Sequence, residues 1–252
     1  RGNSWTEMSG RLPSAPKGAW IPQIHASRIK DGEAFVVLND YRRNNWDPYC
    51  YHTSDFGASW TRIASSDQVQ GHVMSIVQDL EVENLLFMGT DAGLWVSIDY
   101  GKNWTRWDIE FPAASVRDLA LQEREADLVV GTFGRAIWVL DDIRPLRAIA
   151  SNQDLLERPF AAFESPDAYM ASYRQPPGVR FDGDAGYRGE NRPYGAQMSL
   201  WINPSTFEKD EAKKEEPETE DKKSRGKKNK KDERRRHRHN KRRQDLRSTT
   251  TV

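Results

Sequence analysis

The chain has 252 residues and a formal net charge of zero, and 30% of its residues are charged against 37% hydrophobic. The charges are uneven: residues 222–247 hold fifteen Lys or Arg and three Asp or Glu, so the rest of the chain is acidic by the same excess. The single cysteine, Cys50, excludes an intramolecular disulfide framework, and no apolar run reaches the length of a membrane helix.

Three similar segments recur along the chain, and in each a Trp-Thr pair begins three residues after a glycine. The complete copies occupy residues 53–60 and 97–104 and fit Ser/Thr-x-Asp-x-Gly-x-x-Trp, whereas residues 1–6 hold an incomplete copy. The tryptophans of successive copies, Trp5, Trp60 and Trp104, are 55 and 44 residues apart. Periods of this size are typical of propeller blades and other repeat arrays.

Each complete motif predicts a reinforced turn between two strands. Its Ser or Thr hydroxyl and its Asp carboxylate can accept hydrogen bonds from backbone N–H groups. Its Gly supplies a positive φ, and its Trp begins the next strand with a large buried ring. We therefore assign a structural role to Thr53, Asp55, Gly57, Trp60, Ser97, Asp99, Gly101 and Trp104.

Short β-branched and aromatic runs between the motifs predict four strands per repeat. The predicted strands cover residues 20–25, 34–38, 49–53 and 59–63, then 72–78, 85–88, 94–98 and 103–107, then 116–121, 128–130 and 137–140. The third repeat lacks its fourth strand. The fold class predicted for residues 1–147 is therefore all-β, a partial β-propeller of about three four-stranded blades.

Beyond the propeller the sequence changes character twice. Residues 148–193 are rich in Pro, Gly and Tyr and predict an irregular linker, with one helical turn at residues 154–157. Residues 194–206 predict a strand, and residues 207–252 form a charged tail expected to be disordered because it has too few apolar residues for a core. The basic end of this tail predicts weak binding of polyanions, nucleic acid included. A shifted reading frame would give the same composition.

The two motifs resemble the Asp-box, or bacterial neuraminidase, repeat of sialidases, xyloglucanases and sortilin. Residues 131–147, GTFGRAIWVLDDIRPLR, are similar to the end of the propeller in large bacterial sortilin-like proteins, often labelled glycosyl hydrolases. Phe133 and Ala136 stand where that family usually has His and Gly. The resemblance implies the C-terminal part of a propeller in a secreted or periplasmic protein, followed at residues 194–206 by the first strand of a β-sandwich-like domain.

A ligand site is predicted where the loop over residues 39–47 meets the equivalent turns of the next two blades, because functional residues concentrate on such loops. The candidate residues are Tyr41, Arg42, Arg43, Trp46, Asp47, Asp91 and Arg135. The arginines offer planar donors for carboxylate or phosphate, and the aromatic rings can stack on a sugar or a peptide. The alternative is a solvated loop in which Asp40, Asp47 and Asp91 neutralise the arginines.

No catalytic residues are predicted, because no two carboxylates are placed across a shared cleft as glycoside hydrolysis requires. His25 and His72 lack metal-ligand spacing and are predicted to line the propeller axis, and no metal or cofactor is expected. The leading hypothesis is a non-catalytic part of a larger propeller, acting as a scaffold or as a surface that binds protein or glycan. The rival hypothesis is part of a sialidase- or xyloglucanase-like hydrolase whose catalytic residues lie mainly upstream.

Overall fold

The computed structural model describes residues 4–168 and 195–205. Every element below lies in the first of two compact units, residues 1–203; of the second unit, residues 204–252, only two residues are described. The start of the incomplete motif, most of the predicted linker and nearly all of the charged tail lie outside the described residues. No helix in the described ranges is long and apolar enough to cross a membrane.

Three antiparallel sheets follow one another along the chain, and each strand pairs with the next one in sequence. Blade 1 contains β1 (Trp20–Ala26), β2 (Ala34–Asp40), β3 (Asn45–Thr53) and β4 (Thr61–Arg62); blade 2 contains β5 (Val73–Gln78), β6 (Leu86–Thr90), β7 (Gly93–Ser97) and β8 (Thr105–Trp107); blade 3 contains β9 (Ser115–Gln122), β10 (Asp127–Phe133) and β11 (Ile137–Leu140). The predicted all-β partial propeller, with a last blade of three strands, is confirmed.

Blade 2 is buried on both of its faces. Side chains that alternate along its strands point to opposite neighbours, as the two-residue period of a strand requires. Ile76, Met88 and Trp95 pack against blade 1, while Phe87 and Leu94 pack against blade 3. All residues of β5, β6 and β7 are therefore buried.

A glycine in β6 sets how closely blades 2 and 3 approach. A Cβ atom on Gly89 would lie 2.5 Å from Val116 Cγ1 and 2.6 Å from Ser75 Oγ. No side chain fits there without a shift of β9, because interiors are close-packed. A Cβ atom on Gly131, at the same point of blade 3, would lie 3.5 Å from its nearest neighbour, the Asp118 carbonyl oxygen.

The outward face of blade 3 stays exposed. By strand register, Ile137 and Val139 correspond to Leu94 and Val96 of blade 2. Ile137 is 71% exposed and Val139 is 52% exposed, whereas both blade 2 residues are buried. The apolar pattern that receives a neighbouring blade is thus repeated on blade 3 with no blade against it in the described ranges.

Two elements differ from the sequence prediction. A helix, α1 (Arg144–Ser151), spans the predicted boundary between propeller and linker at residues 147 and 148, and its Pro145 lies in the first turn where no intrahelical donor is lost. One turn of 3-10 helix follows at Gln153–Glu157. The predicted strand over residues 194–206 is the short β13 (Leu200–Ile202), which pairs antiparallel with β12 (Phe160–Ala162).

The loop predicted over residues 39–47 is shorter than expected. Asp40 pairs with Asn45 across the hairpin, so only residues 41–44 connect β2 to β3. A 3-10 turn at Tyr41–Arg43 ends at Asn44, whose φ of 61° reverses the chain. Trp46 and Asp47 consequently belong to β3, and the strand fixes their direction.

Candidate ligand-binding face

The blades present two ends of different construction. One end, the Asp-turn face, carries the turns over residues 53–60 and 97–104 together with the connections from the first to the second strand of each blade. The other end, the loop face, carries the turn over residues 41–44, the Asp91–Ala92 turn and the turn over residues 134–136.

The first Asp turn, residues 53–60, is closed by its own side chains. Asp55 Oδ1 accepts hydrogen bonds from Thr53 Oγ1 at 2.7 Å and from the Ser59 backbone N–H at 2.9 Å. Thr53 Oγ1 in turn accepts from the Gly57 N–H at 3.1 Å. The bonds from the Ser59 side chain and backbone, with that from Thr53, lower the pKa of Asp55 to about 2.

The second Asp turn, residues 97–104, repeats this arrangement. Asp99 Oδ1 accepts from Ser97 Oγ at 2.8 Å and from the Asn103 N–H at 2.9 Å, while the Gly101 N–H donates to Ser97 Oγ at 2.8 Å. Burial alone would raise the pKa of Asp99, but hydrogen bonds from Asn103 and Ser97 outweigh it and lower the pKa. Trp104 is buried and its Nε1–H donates to the Ile63 carbonyl at 2.7 Å, which ties this turn to blade 1.

Gly57 and Gly101 have φ values of 81° and 76°. A side chain at either position would be strained, which accounts for glycine there. Trp60, the counterpart of Trp104, is half-buried, and its Nε1–H has no hydrogen-bond partner in the described part of the chain.

A buried ion pair anchors helix α1 to the Asp-turn face. Arg147 Nε donates to Asp79 Oδ1 at 3.0 Å, Nη2 forms an ion pair with the same oxygen at 3.0 Å, and Nη1 donates to Glu81 Oε1 at 2.6 Å. Asp79 also accepts the N–H groups of Glu81 and Val82 through Oδ2. Both oxygens of this buried carboxylate are therefore satisfied, as buried polar groups require.

The loop face instead carries an aromatic cluster, which we define as Trp20, Tyr41, Trp46 and His72. The rings of Tyr41 and His72 are stacked with centroids 4.8 Å apart. Trp46 lies 5.4 Å from His72 and 6.1 Å from Tyr41, and its Nε1–H donates to Asn44 Oδ1 at 3.2 Å. Trp20 and Trp46 remain 48% and 50% exposed, so the cluster presents flat apolar surface to solvent.

The polar groups beneath this cluster are unsatisfied. His72 Nδ1 lies 3.3 Å from Asp91 Oδ1, within the range of an ion pair. The geometry does not make a hydrogen bond, and neither ring nitrogen of His72 nor Asp91 Oδ1 has a hydrogen-bond partner in the described ranges. The structure thus brings Tyr41, Trp46 and Asp91 together through a histidine that the sequence assigned to the axis.

The two loop arginines have different environments. Arg43 Nε donates to Asp40 Oδ1 at 2.6 Å and Nη2 donates to the Lys17 carbonyl at 2.8 Å, so this cation is neutralised as the alternative reading predicted. The Arg42 guanidinium lies over the rings of Trp20 and Tyr41, 5.5 and 5.8 Å from their centroids. No carboxylate pairs with Arg42 among the described residues.

Arg117, which the sequence analysis did not select, lies on the same face. It is the extra residue of a β-bulge in β9, because Val116 pairs with Thr132 and Asp118 with Gly131. Its guanidinium lies over the Phe133 ring at 5.1 Å, and Nη1 is 3.7 Å from Met74 Sδ. A bulge can re-aim a side chain in this way, and no sequence pattern marks it.

Arg135 is less closely involved than predicted. Its carbonyl accepts the Trp138 Nε1–H at 2.7 Å. Within the described residues, no hydrogen bond, ion pair or ring contact joins its side chain to the aromatic cluster. Asp47 is exposed, and its N–H donates to Asn45 Oδ1.

His25 contacts the backbone of the next blade. Its Nε2 accepts the Gln78 N–H at 3.3 Å, and burial lowers the pKa of the ring. In the described ranges no group of three or more His, Cys, Asp or Glu side chains is placed to hold a metal ion.

No family model and no curated protein matches the chain. Among solved structures it is similar to a GH74 enzyme from Niastella koreensis and a GH74 xyloglucanase from Xanthomonas campestris, each at 16% identity over 48% of this chain with a TM-score of 0.41. The matches span 21% and 22% of those enzymes. It is also similar to YCF48 bound to D1 peptide, at 22% identity, over 44% of this chain and 33% of that one, with a TM-score of 0.32. Likenesses this slight carry no argument about a ligand, and the blades are assigned from their own strand pairing.

Proposed function

We propose that this chain is a non-catalytic part of a larger Asp-box propeller and that its loop face binds a glycan. The observation that carries the proposal is the aromatic cluster, where half-exposed Trp46 lies beside a stacked Tyr41–His72 pair and the Arg42 guanidinium links Tyr41 to half-exposed Trp20. Rigid, exposed aromatic rings offer large contact area at a low cost in conformational entropy. A sugar ring stacked on Trp46 is the expected mode of binding.

The rigidity of the cluster supports this proposal. Trp46 is fixed by its strand, by its bond to Asn44 and by ring contacts with Tyr41 and His72. A preorganised ring loses little freedom when a ligand docks, so more of the contact energy appears as affinity. A protein ligand is the alternative partner for the same surface.

The test is binding by the full chain to a panel of oligosaccharides: cellohexaose, a xyloglucan nonasaccharide and hexagalacturonic acid. Trp46→Ala is expected to weaken binding of any member that binds by about tenfold or more, since stacked aromatics dominate such contacts. Trp5→Ala is the matched control, because Trp5 is 92% exposed and belongs to none of the ring contacts of the cluster. Equal loss in both variants, or no binding to any member, would contradict the proposal.

A hydrolase remains the rival function. Asp40 and Asp91 are two acidic residues of this face, but Asp40 pairs with Arg43 and Asp91 faces His72. Release of reducing ends from a bound oligosaccharide, abolished by Asp91→Asn, would establish the rival and displace the non-catalytic proposal. The binding proposal expects no release.

The larger propeller is supported by the exposed face of blade 3. Ile137 and Val139 repeat the positions by which blade 2 receives its neighbour, and we expect a further blade to cover them. Val139→Lys should therefore lower aggregation of the chain without lowering its unfolding free energy. The matched change Val96→Lys buries a charge and should unfold the chain. Unchanged light scattering for Val139→Lys would argue that the chain does not aggregate through this face of blade 3.

A further inference from the structure

We infer that the glycan bound at the loop face carries carboxylate groups, and that Arg117, which lies on the same face as Arg42, forms the subsite for one of them; this rests on the proposed function. A uronic acid oligosaccharide is the ligand class with the required pair of features. Its ring can stack on Trp46, and its carboxylate fits the planar fork of a guanidinium.

The β-bulges of the inner strands carry the argument. In β5 the register shifts between Val73 and Ser75, so Met74 is the extra residue. In β9 the shift lies at the same point, and Arg117 is the extra residue. The side chains of Met74 and Arg117 touch, with Sδ and Nη1 separated by 3.7 Å. Blade 3 thus places a cation where blade 2 places a thioether.

Met74 also links this point to blade 1. Asn39 Nδ2 donates to Met74 Sδ at 3.5 Å and to the Val73 carbonyl at 3.4 Å. Asn39 is the register partner of Trp20, whose ring lies under the Arg42 guanidinium. The contacts therefore run without interruption from the aromatic cluster to Arg117, across all three blades.

Both arginines contact aromatic rings, and neither pairs with a carboxylate in the part of the chain that the structure describes. Arg117 lies over Phe133, and Arg42 lies over Trp20 and Tyr41. The carboxylate next to Arg117, that of Asp118, accepts the Leu119 N–H at 2.9 Å. On the Asp-turn face, by contrast, Arg28, Arg124, Arg144 and Arg147 each pair with a carboxylate.

An aromatic ring positions a guanidinium without using its donors. Apart from the weak bond from Arg117 Nη1 to Met74 Sδ, no hydrogen bond in the described ranges uses the N–H groups of Arg42 and Arg117. Both arginines are exposed, so their remaining N–H groups are accessible to an incoming anion. This arrangement favours reversible capture of a carboxylate over a purely structural role.

The test compares hexagalacturonic acid with its fully methyl-esterified form, which has the same rings but no charge. We expect the full chain to bind the acid at least about tenfold more tightly, as charge-assisted hydrogen bonds allow. Arg117→Gln should abolish that difference, and Arg117→Lys should restore only part of it. Arg124→Gln, an exposed arginine on the Asp-turn face, should preserve the difference. Circular dichroism and melting curves check that each variant is folded.

Other results of these binding measurements would overturn the carboxylate subsite or the choice of a glycan as ligand. Equal affinity for acid and ester, or equal losses in Arg117→Gln and Arg124→Gln, would overturn the carboxylate subsite. If Trp46→Ala still weakens both forms in that case, the proposed glycan-binding function stands alone. A poly-glutamate peptide that competes as well as the acid, with the same dependence on Arg117, would overturn the commitment to a glycan.

Discussion

The two ends of the blades differ in how their aspartates and the buried His72 are hydrogen-bonded. On the Asp-turn face, the carboxylates of Asp55, Asp79 and Asp99 accept hydrogen bonds from their own turns. On the loop face, the ring nitrogens of His72 and an oxygen of Asp91 are buried without a hydrogen-bond partner in the described chain. Unsatisfied buried groups cost stability, so they are expected where a site serves binding rather than folding.

The turns at one end of the blades are repeated, whereas those at the other end vary. The Asp turns recur with nearly the same distances in blades 1 and 2, because each turn needs the same donors and acceptors to close. The loop-face turns differ in every blade: a 3-10 turn with two arginines, a two-residue turn at Asp91 and a turn at Gly134. The repeated Asp turns hold the blades, and the varied loop-face turns are those where we propose that a ligand binds.

The largest expected effect concerns the ion pair that anchors α1. Arg147→Ala leaves the Asp79 carboxylate buried and short of its cation, and should lower the unfolding free energy by about 3–5 kcal/mol. Arg124→Ala removes an exposed arginine of the same face and should cost less than about 1 kcal/mol. Urea denaturation measures both. Similar small losses in the two variants would mean that the Asp-turn face is not held by its buried polar contacts.

A second pair of variants compares one aspartate from each face, Asp99 and Asp91. Asp99→Ala removes the acceptor for Asn103 and Ser97 and should cost about 1–3 kcal/mol. Asp91→Ala removes a carboxylate with an unsatisfied oxygen and should change stability by no more than about 0.5 kcal/mol. If Asp91→Ala proved the more damaging change in urea denaturation, the contrast between the faces would fail.

Acid should weaken the Asp turns as the pH falls through the range in which their carboxylates are protonated. The pKa of Asp55 is about 2 in the folded chain against 3.8 without these bonds, and that of Asp99 is also lowered. A lowered folded pKa means that the ionised carboxylates stabilise the chain above the unfolded value, and that this contribution declines as pH falls from about 4 to 2.

Melting temperatures measured from pH 5 down to pH 2 test this expectation. The wild-type chain should lose stability through that window, and the double variant Asp55→Asn, Asp99→Asn should show a shallower decline from a lower starting point. Parallel curves for the two proteins would assign the acid sensitivity to other groups.

Much of this architecture follows from the sequence. The two complete motifs and the β-branched and aromatic runs between them place the blades, because strand period and turn chemistry are local properties. The candidate face was predicted through Tyr41, Trp46 and Asp91. Its completion by Arg117 was not predictable, since a β-bulge depends on the register between strands that distant residues fix together.

The helix α1 escaped prediction for a related reason. Its eight residues are too few to form a stable helix alone, and its stability comes from packing. Ala150 is buried in the core shared by blades 2 and 3, Ile149 is also buried, and Arg147 reaches Asp79. The sequence between residues 144 and 151 contains none of these partners, so local pattern alone favoured a linker.

The most direct test of the division between the faces is the indole N–H region of the proton–nitrogen NMR spectrum. The full chain is titrated with whichever member of the oligosaccharide panel binds most tightly. The account predicts that the resonances of Trp20 and Trp46 shift progressively, while those of Trp60 and Trp104 in the Asp turns stay in place. Shifts confined to Trp60 and Trp104 would contradict it, because the ligand would then occupy the face assigned to holding the blades.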